Sequence, residues 1–219
     1  MITIAIDGPS AAGKSTVAKG VAKKLGFVYV DTGAMYRSVA VYCVKNFIDV
    51  NDVEKVASVL DKIDIELSID GKVILNGEDV TMLIRTKEVD KLVSPIANNV
   101  AVRSFLVNKQ RAMANDISIV MDGRDIGTVV LPNANVKIFQ IADVKKRAER
   151  RYAEKIQNGE ETTLEEVEKE LERRDLNDSS RSTGALKPAE DSICVDKSNM
   201  TIEESIDAII KIVKEKVGI

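Results

Sequence analysis

Apolar residues along this chain keep two rhythms, and the places where one gives way to the other outline the fold. Residues 2–6 (ITIAI) are a continuous apolar run of the kind that a parallel sheet buries on both faces. After a glycine-rich turn, Val17, Val21 and Leu25 recur at four-residue steps and Gly26 closes the series, which predicts a helix with a glycine stop. FVYVD at 27–31 predicts a second strand, and the stretch through residue 47 a second helix. Strand, helix, strand, helix in this order predicts an α/β fold on a parallel sheet.

Between about 62 and 84 the rhythm changes. Ile65, Leu67 and Ile69 alternate with polar residues, Asp70-Gly71 supplies a turn, and Val73 and Leu75 alternate again before Asn76-Gly77. That pattern predicts a small antiparallel insert. Helical spacing returns over 98–115 (Val102, Phe105, Leu106, Met113), and ISIVMD at 117–122 and VKIFQIA at 136–142 predict further central strands. From 143 to 181 charge dominates, in DVKKRAERRYAEKI and then LEEVEKELERRDLNDSSR, with Thr163 and Glu166 at capping-box spacing. Two arginine-rich helices with a thin apolar stripe are expected there, a mobile hairpin more than a core unit. SICVD at 192–196 predicts a last strand. The closing helix carries Ile202, Ile206, Ile209, Ile210 and Val213 on one face behind a Thr201/Glu204 capping box.

Composition removes several function classes. A net charge of −3 argues against nucleic acid or a membrane surface as partner. The start, MITIAIDG, has neither a basic n-region nor a long apolar stretch, so no signal peptide and no membrane span are expected. Cys43 and Cys194 stand far apart in apolar surroundings and read as reduced, buried side chains, which fits a cytoplasmic protein. The absence of histidine removes Ser-His-Asp and Cys-His nucleophile chemistry, and histidine-ligated zinc as well.

What chemistry remains is written in the turn after the first strand. Gly8, Pro9, Ser10, Ala11, Ala12, Gly13, Lys14 and Ser15 fit GxxxxGK[ST], and Thr16 follows. Glycines let such a loop curl so that successive backbone N–H groups face a polyphosphate, and the helix beginning near Lys14 adds its positive end. Lys14 can reach the β- and γ-phosphates, and the Ser15 hydroxyl can ligate Mg²⁺. The position, between a predicted strand and a predicted helix, is the one the mechanism needs. A triphosphate is therefore expected here, but switches, motors and kinases all share the motif.

Two further turns discriminate. Asp31-Thr32-Gly33-Ala34-Met35-Tyr36-Arg37 and Asp122-Gly123-Arg124-Asp125 each follow a predicted central strand, where an open parallel sheet places its ligand crevice. Each offers an arginine beside a carboxylate, and arginine grips phosphate in a bidentate way. A second phosphate held in line with the γ-phosphate defines phosphoryl transfer. The charged hairpin adds Arg147, Arg150, Arg151, Arg173, Arg174 and Arg181, suited to a lid that stabilises transferring charge and excludes water. A guanine-recognising NKxD order is missing; Asp196-Lys197-Ser198-Asn199 does not supply it. A kinase acting on another nucleotide or a small metabolite is the alternative at this point.

IDGPSAAGKST, VDTGAMYR, RTKEV with the following Ser94, MDGRDIGTVVLPNA and KRAERR…LERRD…D…R together resemble the bacterial cytidylate kinases along the whole chain and in the same order. The resemblance implies five parallel strands flanked by helices, in a P-loop core made of 1–33, 115–146 and 182–219. It further implies a CMP-binding domain at 34–114 bearing the β insert, and a helical lid at 147–181. It implies transfer of the γ-phosphoryl group of ATP, with Mg²⁺, to CMP and dCMP by a monomer. It places Arg37, Arg124 and Arg181 around the CMP phosphate with Thr32 and Gly33 beside it, Ser94, Arg103 and Asp125 at the cytosine, and Arg174 and Asp178 at the sugar. Lys14, Arg124 and Arg181 would carry the catalysis. The base assignment also makes chemical sense, since a carboxylate accepts from the cytosine N4 amino group and would face a carbonyl on uracil.

Overall fold

The structure is a computed structural model that describes residues 1–68 and 71–219. Two compact units divide the chain, Met1–Tyr29 with Ile117–Ile219, and Val30–Asp116. The predicted Asp70-Gly71 turn and the inward place of Ile69 lie wholly or partly outside the described residues.

The first unit is organised by β1 (Thr3–Asp7), which the nucleotide loop joins to α1 (Lys14–Leu25). The remaining strands of its sheet are β2 (Val28–Asp31), β6 (Ile119–Gly123), β7 (Val136–Ile141) and β8 (Ile193–Asp196), and the order is β2-β6-β1-β7-β8. β1 pairs in parallel with β6 and with β7, Asp7 lying opposite both Gly123 and Phe139. The loop after β1 and the turn after β6 therefore leave the carboxyl edge side by side, the place where parallel sheets put their chemistry. Ile4, Ile6, Val120 and Ile138 are buried together with Val17 and Val21 of α1 and with Ile206, Ile209 and Val213 of α8 (Ile202–Val217). Ile202, expected on that apolar face, is instead 52% exposed, because it opens the helix one turn before the packed stretch begins.

Both capping boxes form. Thr163 and Glu166 open α7 (Leu164–Ser179), and Thr201 and Glu204 open α8, each pair satisfying N–H groups that the first turn leaves over. α6 (Val144–Gln157) and α7 pack through Ala148, Val167 and Leu171, with Tyr152 and Ala11 against them. One expectation about the cysteines fails. Cys43 is buried, but Cys194 is exposed, because β8 is an edge strand and one of its faces looks outward.

The second unit has its own core. α2 (Thr32–Lys45), α4 (Lys87–Asn98) and α5 (Val100–Met113) bury Met35, Val39, Val93, Ile96 and Leu106 together. The short α3 (Val53–Ala57) contributes Val56 to the same cluster. The insert is a three-stranded antiparallel sheet of β3 (Ile65–Leu67), β4 (Val73–Leu75) and β5 (Glu78–Asp79), with Ile65 opposite Leu75. Among the described residues no helix is long and apolar enough to cross a membrane.

Candidate active site

The loop between β1 and α1 holds its shape through backbone conformations that only some residues tolerate. Gly8 has φ 152°, Ala11 55° and Gly13 77°. Gly8 also passes so close to β7 that an added methyl would stand 2.0 Å from the Gln140 carbonyl oxygen. Buried Gln140 and Arg147 and half-buried Asp175 fix the loop from outside. Gln140 Nε2 donates to Ala12 O at 2.6 Å, Arg147 Nη1 donates to Ser10 O at 2.9 Å, and the Ser10 N–H donates to Asp175 Oδ1 at 3.1 Å. Among the described residues no side chain caps the amino end of α1, and no acid sits in its first turn. The N–H groups there are left for an anion.

Lys14 is buried and folds back to donate from Nζ to Pro9 O at 2.8 Å. Burial and the nearby Arg124 push its ammonium down from the ordinary 10.5 to about 7, against the pull of Asp122, Asp7 and Asp178. Asp7 is pushed up to about 6 by burial, although its carboxylate accepts the Ile126 and Gly127 N–H groups at 2.8 and 2.7 Å. Both shifts have one origin, a low-dielectric floor beneath the loop in which charged forms are costly. Asp122, the last residue before the Gly123-Arg124 turn, accepts from the Ser15 hydroxyl at 2.8 Å and from the Tyr29 hydroxyl at 2.7 Å.

Beside this floor, Asp178 of α7 is buried with both oxygens engaged. Arg124 Nε donates to Oδ2 at 2.7 Å, and Arg181 donates to Oδ1. Burial alone would raise the Asp178 pKa, but the charges of Arg124 and Arg181 together hold it below the usual carboxylate range, with Arg174 adding to the effect. One carboxylate thus presents two guanidiniums next to Lys14. Asp125 is buried one residue after Arg124. Asp175 accepts both the Ser10 N–H and Arg147, at 3.1 and 2.6 Å.

In the second unit, Asp31 caps α2 by accepting the Ala34 N–H at 2.9 Å and also takes Arg85 at 2.6 Å. Thr32 is buried. Gly33 leaves room where an added methyl would come within 3.3 Å of Arg37 Nη1. Arg37 pairs with Asp90 of α4 at 2.7 Å, and Ser94 lies one helical turn beyond Asp90. Arg103 is buried on α5, with Nη1 donating to Ala97 O at 3.3 Å and its guanidinium 5.8 Å from the centre of the Tyr36 ring.

The residues predicted from sequence therefore gather in two groups. Lys14, Ser15, Arg124, Asp125, Asp178 and Arg181 lie in the first unit, and Thr32, Gly33, Arg37, Ser94 and Arg103 in the second. Of the hairpin arginines, Arg147 is buried under the loop, Arg151 pairs with Glu154 at 3.3 Å and Arg173 is exposed. Asp7, Asp175 and Gln140 were not singled out from the sequence. Asp7 carried the one available signal, a carboxylate at the end of an apolar strand immediately before the glycine loop.

A parallel sheet with this strand order, an open-ended glycine loop and a carboxylate-held arginine pair beside its lysine define a P-loop kinase. A gluconokinase from Sinorhizobium meliloti 1021 shares the fold with a TM-score of 0.51 at 11% identity, over 98% of this chain and 92% of its own. A shikimate kinase from Bacteroides thetaiotaomicron shares it with a TM-score of 0.50 at 13% identity, over 97% and 98%. The cytidylate kinase family model matches residues 4–215. A cytidylate kinase from Geobacillus sp. (strain WCH70) is 50% identical over 220 residues, 99% of this chain and 98% of the relative. One from Pediococcus pentosaceus is 52% identical over 214 residues, 96% and 95%. The chain belongs to the cytidylate kinase family and is a phosphotransferase.

Proposed function

We propose that this enzyme transfers the γ-phosphoryl group of ATP to CMP, and to dCMP, in the cytoplasm, giving ADP and the diphosphate. The observation that carries the acceptor reading is Asp178 holding Arg124 and Arg181 on its two oxygens beside Lys14. Two guanidiniums fixed at one carboxylate form a receptor for a dianionic phosphate group, and Lys14 stands where the donor's terminal phosphates belong. The two free cysteines fit a reducing compartment.

In this reading the 8–16 loop binds the ATP phosphates through its N–H groups. Arg124 and Arg181 hold the acceptor phosphate, as do Arg37, Thr32 and Gly33 from the second unit. Asp125, Ser94 and Arg103 select cytosine. Arg174 and Asp178 take the sugar hydroxyls, for which each Asp178 oxygen retains a lone pair beyond its arginine bond. Residues 147–181 act as the lid and 34–114 as the CMP domain. A single chain supplies every assigned group, so the proposed working form is a monomer acting on small nucleotides rather than nucleic acid.

The donor set at Ser15 and Asp122, an alcohol and a carboxylate 2.8 Å apart, suits a hard divalent cation. Those two residues would hold Mg²⁺, which when bound neutralises phosphate charge. The acceptor oxygen is already anionic and needs no strong base, so the chain's part is alignment and charge stabilisation. Lys14 gathers negative charge from the donor, Arg124 and Arg181 keep the acceptor in line, and α6–α7 exclude water. ADP production from a panel of nucleoside monophosphates with ATP and Mg²⁺ tests the reading. CMP and dCMP should lead by at least tenfold, and a clear preference for any other acceptor overturns it.

A further inference from the structure

Lys197 directly follows β8 and is 3% exposed. A methyl built on Gly13 would stand 2.8 Å from Lys197 Nζ and 4.0 Å from Arg150 Nη1, so both cations reach the turn where the nucleotide loop becomes α1. Among the described residues neither side chain has a hydrogen-bond or ion-pair partner. The acids nearby in sequence are turned elsewhere. Asp196 accepts the Ser198 N–H and hydroxyl at 2.9 and 2.6 Å, and Asp143 accepts the Lys145 and Lys146 N–H groups. Glu149 lies 3.7 Å from Lys146, and Glu154 3.3 Å from Arg151. Burial and the charge of Arg150 accordingly hold the Lys197 ammonium below the ordinary lysine range.

An ammonium on a buried stem, with no carboxylate partner and a guanidinium beside it, is electrostatically unfavourable. Among the described residues no carboxylate supplies the compensating charge, which leaves the place open to an anion from outside the chain. The same spot is the uncapped amino end of α1, which independently favours an anion. We infer that Lys197 and Arg150 form an additional clamp on a phosphate of the ATP donor at the Gly13 turn, distinct from the grip of Lys14. The inference rests on the proposal that ATP occupies the 8–16 loop. The clamp makes donor affinity depend on the β8–α8 connection, where the sequence motif gives no warning of it. An ammonium suits the role because it acts on phosphate as a compact point charge and needs no planar alignment.

The test is calorimetric titration of ATP·Mg²⁺ into the wild-type chain, Lys197→Met and Arg150→Met, with steady-state kinetics and melting of the ligand-free proteins. Each substitution should weaken ATP binding and raise KM for ATP about tenfold, the loss expected for one charge-assisted contact. KM for CMP should stay within twofold. Ligand-free Lys197→Met should melt above wild type, since it loses an uncompensated buried charge; a merely structural lysine would give the reverse, with both KM values shifting together. ATP affinity within twofold of wild type in both variants overturns the clamp, and so does that structural pattern. A wild-type chain that binds no ATP overturns the loop reading itself, and the clamp falls with it.

Discussion

Ser15 donates its hydroxyl hydrogen to Asp122 at 2.8 Å, which joins the first turn of α1 to the end of β6. Two stretches more than a hundred residues apart thereby bring an alcohol and a carboxylate into contact at the foot of the nucleotide loop. The Tyr29 hydroxyl, on the other carboxylate oxygen at 2.7 Å, fixes the rotation of that carboxylate.

If this pair holds the activating cation, Asp122→Ala should raise the Mg²⁺ concentration needed for half-maximal rate by about ten- to a hundredfold, the usual cost of losing a supporting ligand. Tyr29→Phe should have the same sign and a smaller size. Initial rates at fixed nucleotide and varied Mg²⁺ read both, and an unchanged Mg²⁺ dependence in Asp122→Ala removes the assignment.

Lys14 gives a pH-dependent prediction. Its folded pKa lies at about 7, below the ordinary 10.5, so between those values the unfolded chain binds the proton more tightly. Ligand-free stability from this group therefore rises with pH across that window. Lys14→Met should abolish that part of the rise, visible as a wild-type-minus-variant difference in urea unfolding at pH 7 to 10. ATP phosphates should restore the ammonium, so binding at pH 8 should take up about one proton in the wild type and none in the variant. Titrations in buffers of different ionisation enthalpy measure this. The same variant should lose about a hundredfold or more in kcat.

Asp178→Asn should release both arginines at once. Stability should fall by about 2 kcal/mol, less than for a fully buried pair because Arg124 keeps partial solvent access. kcat/KM for CMP should fall about ten- to a hundredfold, while KM for ATP moves little. Chemical denaturation and two-substrate kinetics separate these effects.

Asp125→Ala should erode the preference for CMP over UMP by at least about tenfold, since the penalty against uracil comes from an unmatched carboxylate. The ratio of kcat/KM values is the measurement, and an unchanged ratio takes Asp125 out of the base site.

Gly8→Ala combines two insults, a backbone conformation at φ 152° and a methyl 2.0 Å from the Gln140 carbonyl. It should cost about 1–3 kcal/mol and shift the loop enough to abolish ATP binding. Thermal melting with and without ATP reads both.

The strands of the main sheet were legible because burial on both faces leaves long apolar runs. ITIAI, ISIVMD and VKIFQIA coincide with β1, β6 and β7 to within two residues at either end. The nucleotide loop was equally plain, since its geometry demands particular residues in a fixed order. Less could be seen where tertiary context decides. α4 does keep Val89, Val93 and Ile96 on one face, but Pro95 within that run argues against a helix until the packing is seen. The π-helical turn at Ile126–Val130 carries no clear rhythm, and β5 is two residues long. Arg147 reads as a surface charge on a helix until the structure brings Ser10 and Asp175 to it. Cys194 sits in an apolar string, and only the strand order shows that this string is an edge. Lys197 stood in plain view as part of Asp196-Lys197-Ser198-Asn199, but nothing local says that β7 and β8 carry it to Gly13.

The shared burial of β1, α1 and α8 has a consequence for how the chain is made. The apolar cluster around Ile4, Ile6, Val17 and Val21 is complete only when Ile206, Ile209 and Val213 have been synthesised, so the nucleotide loop emerges early and waits. Val30–Asp116, by contrast, is one unbroken segment with a core of its own. On the ribosome the later-named half of the enzyme is positioned to condense first, and the motif that announces the function is among the last parts to be locked in place.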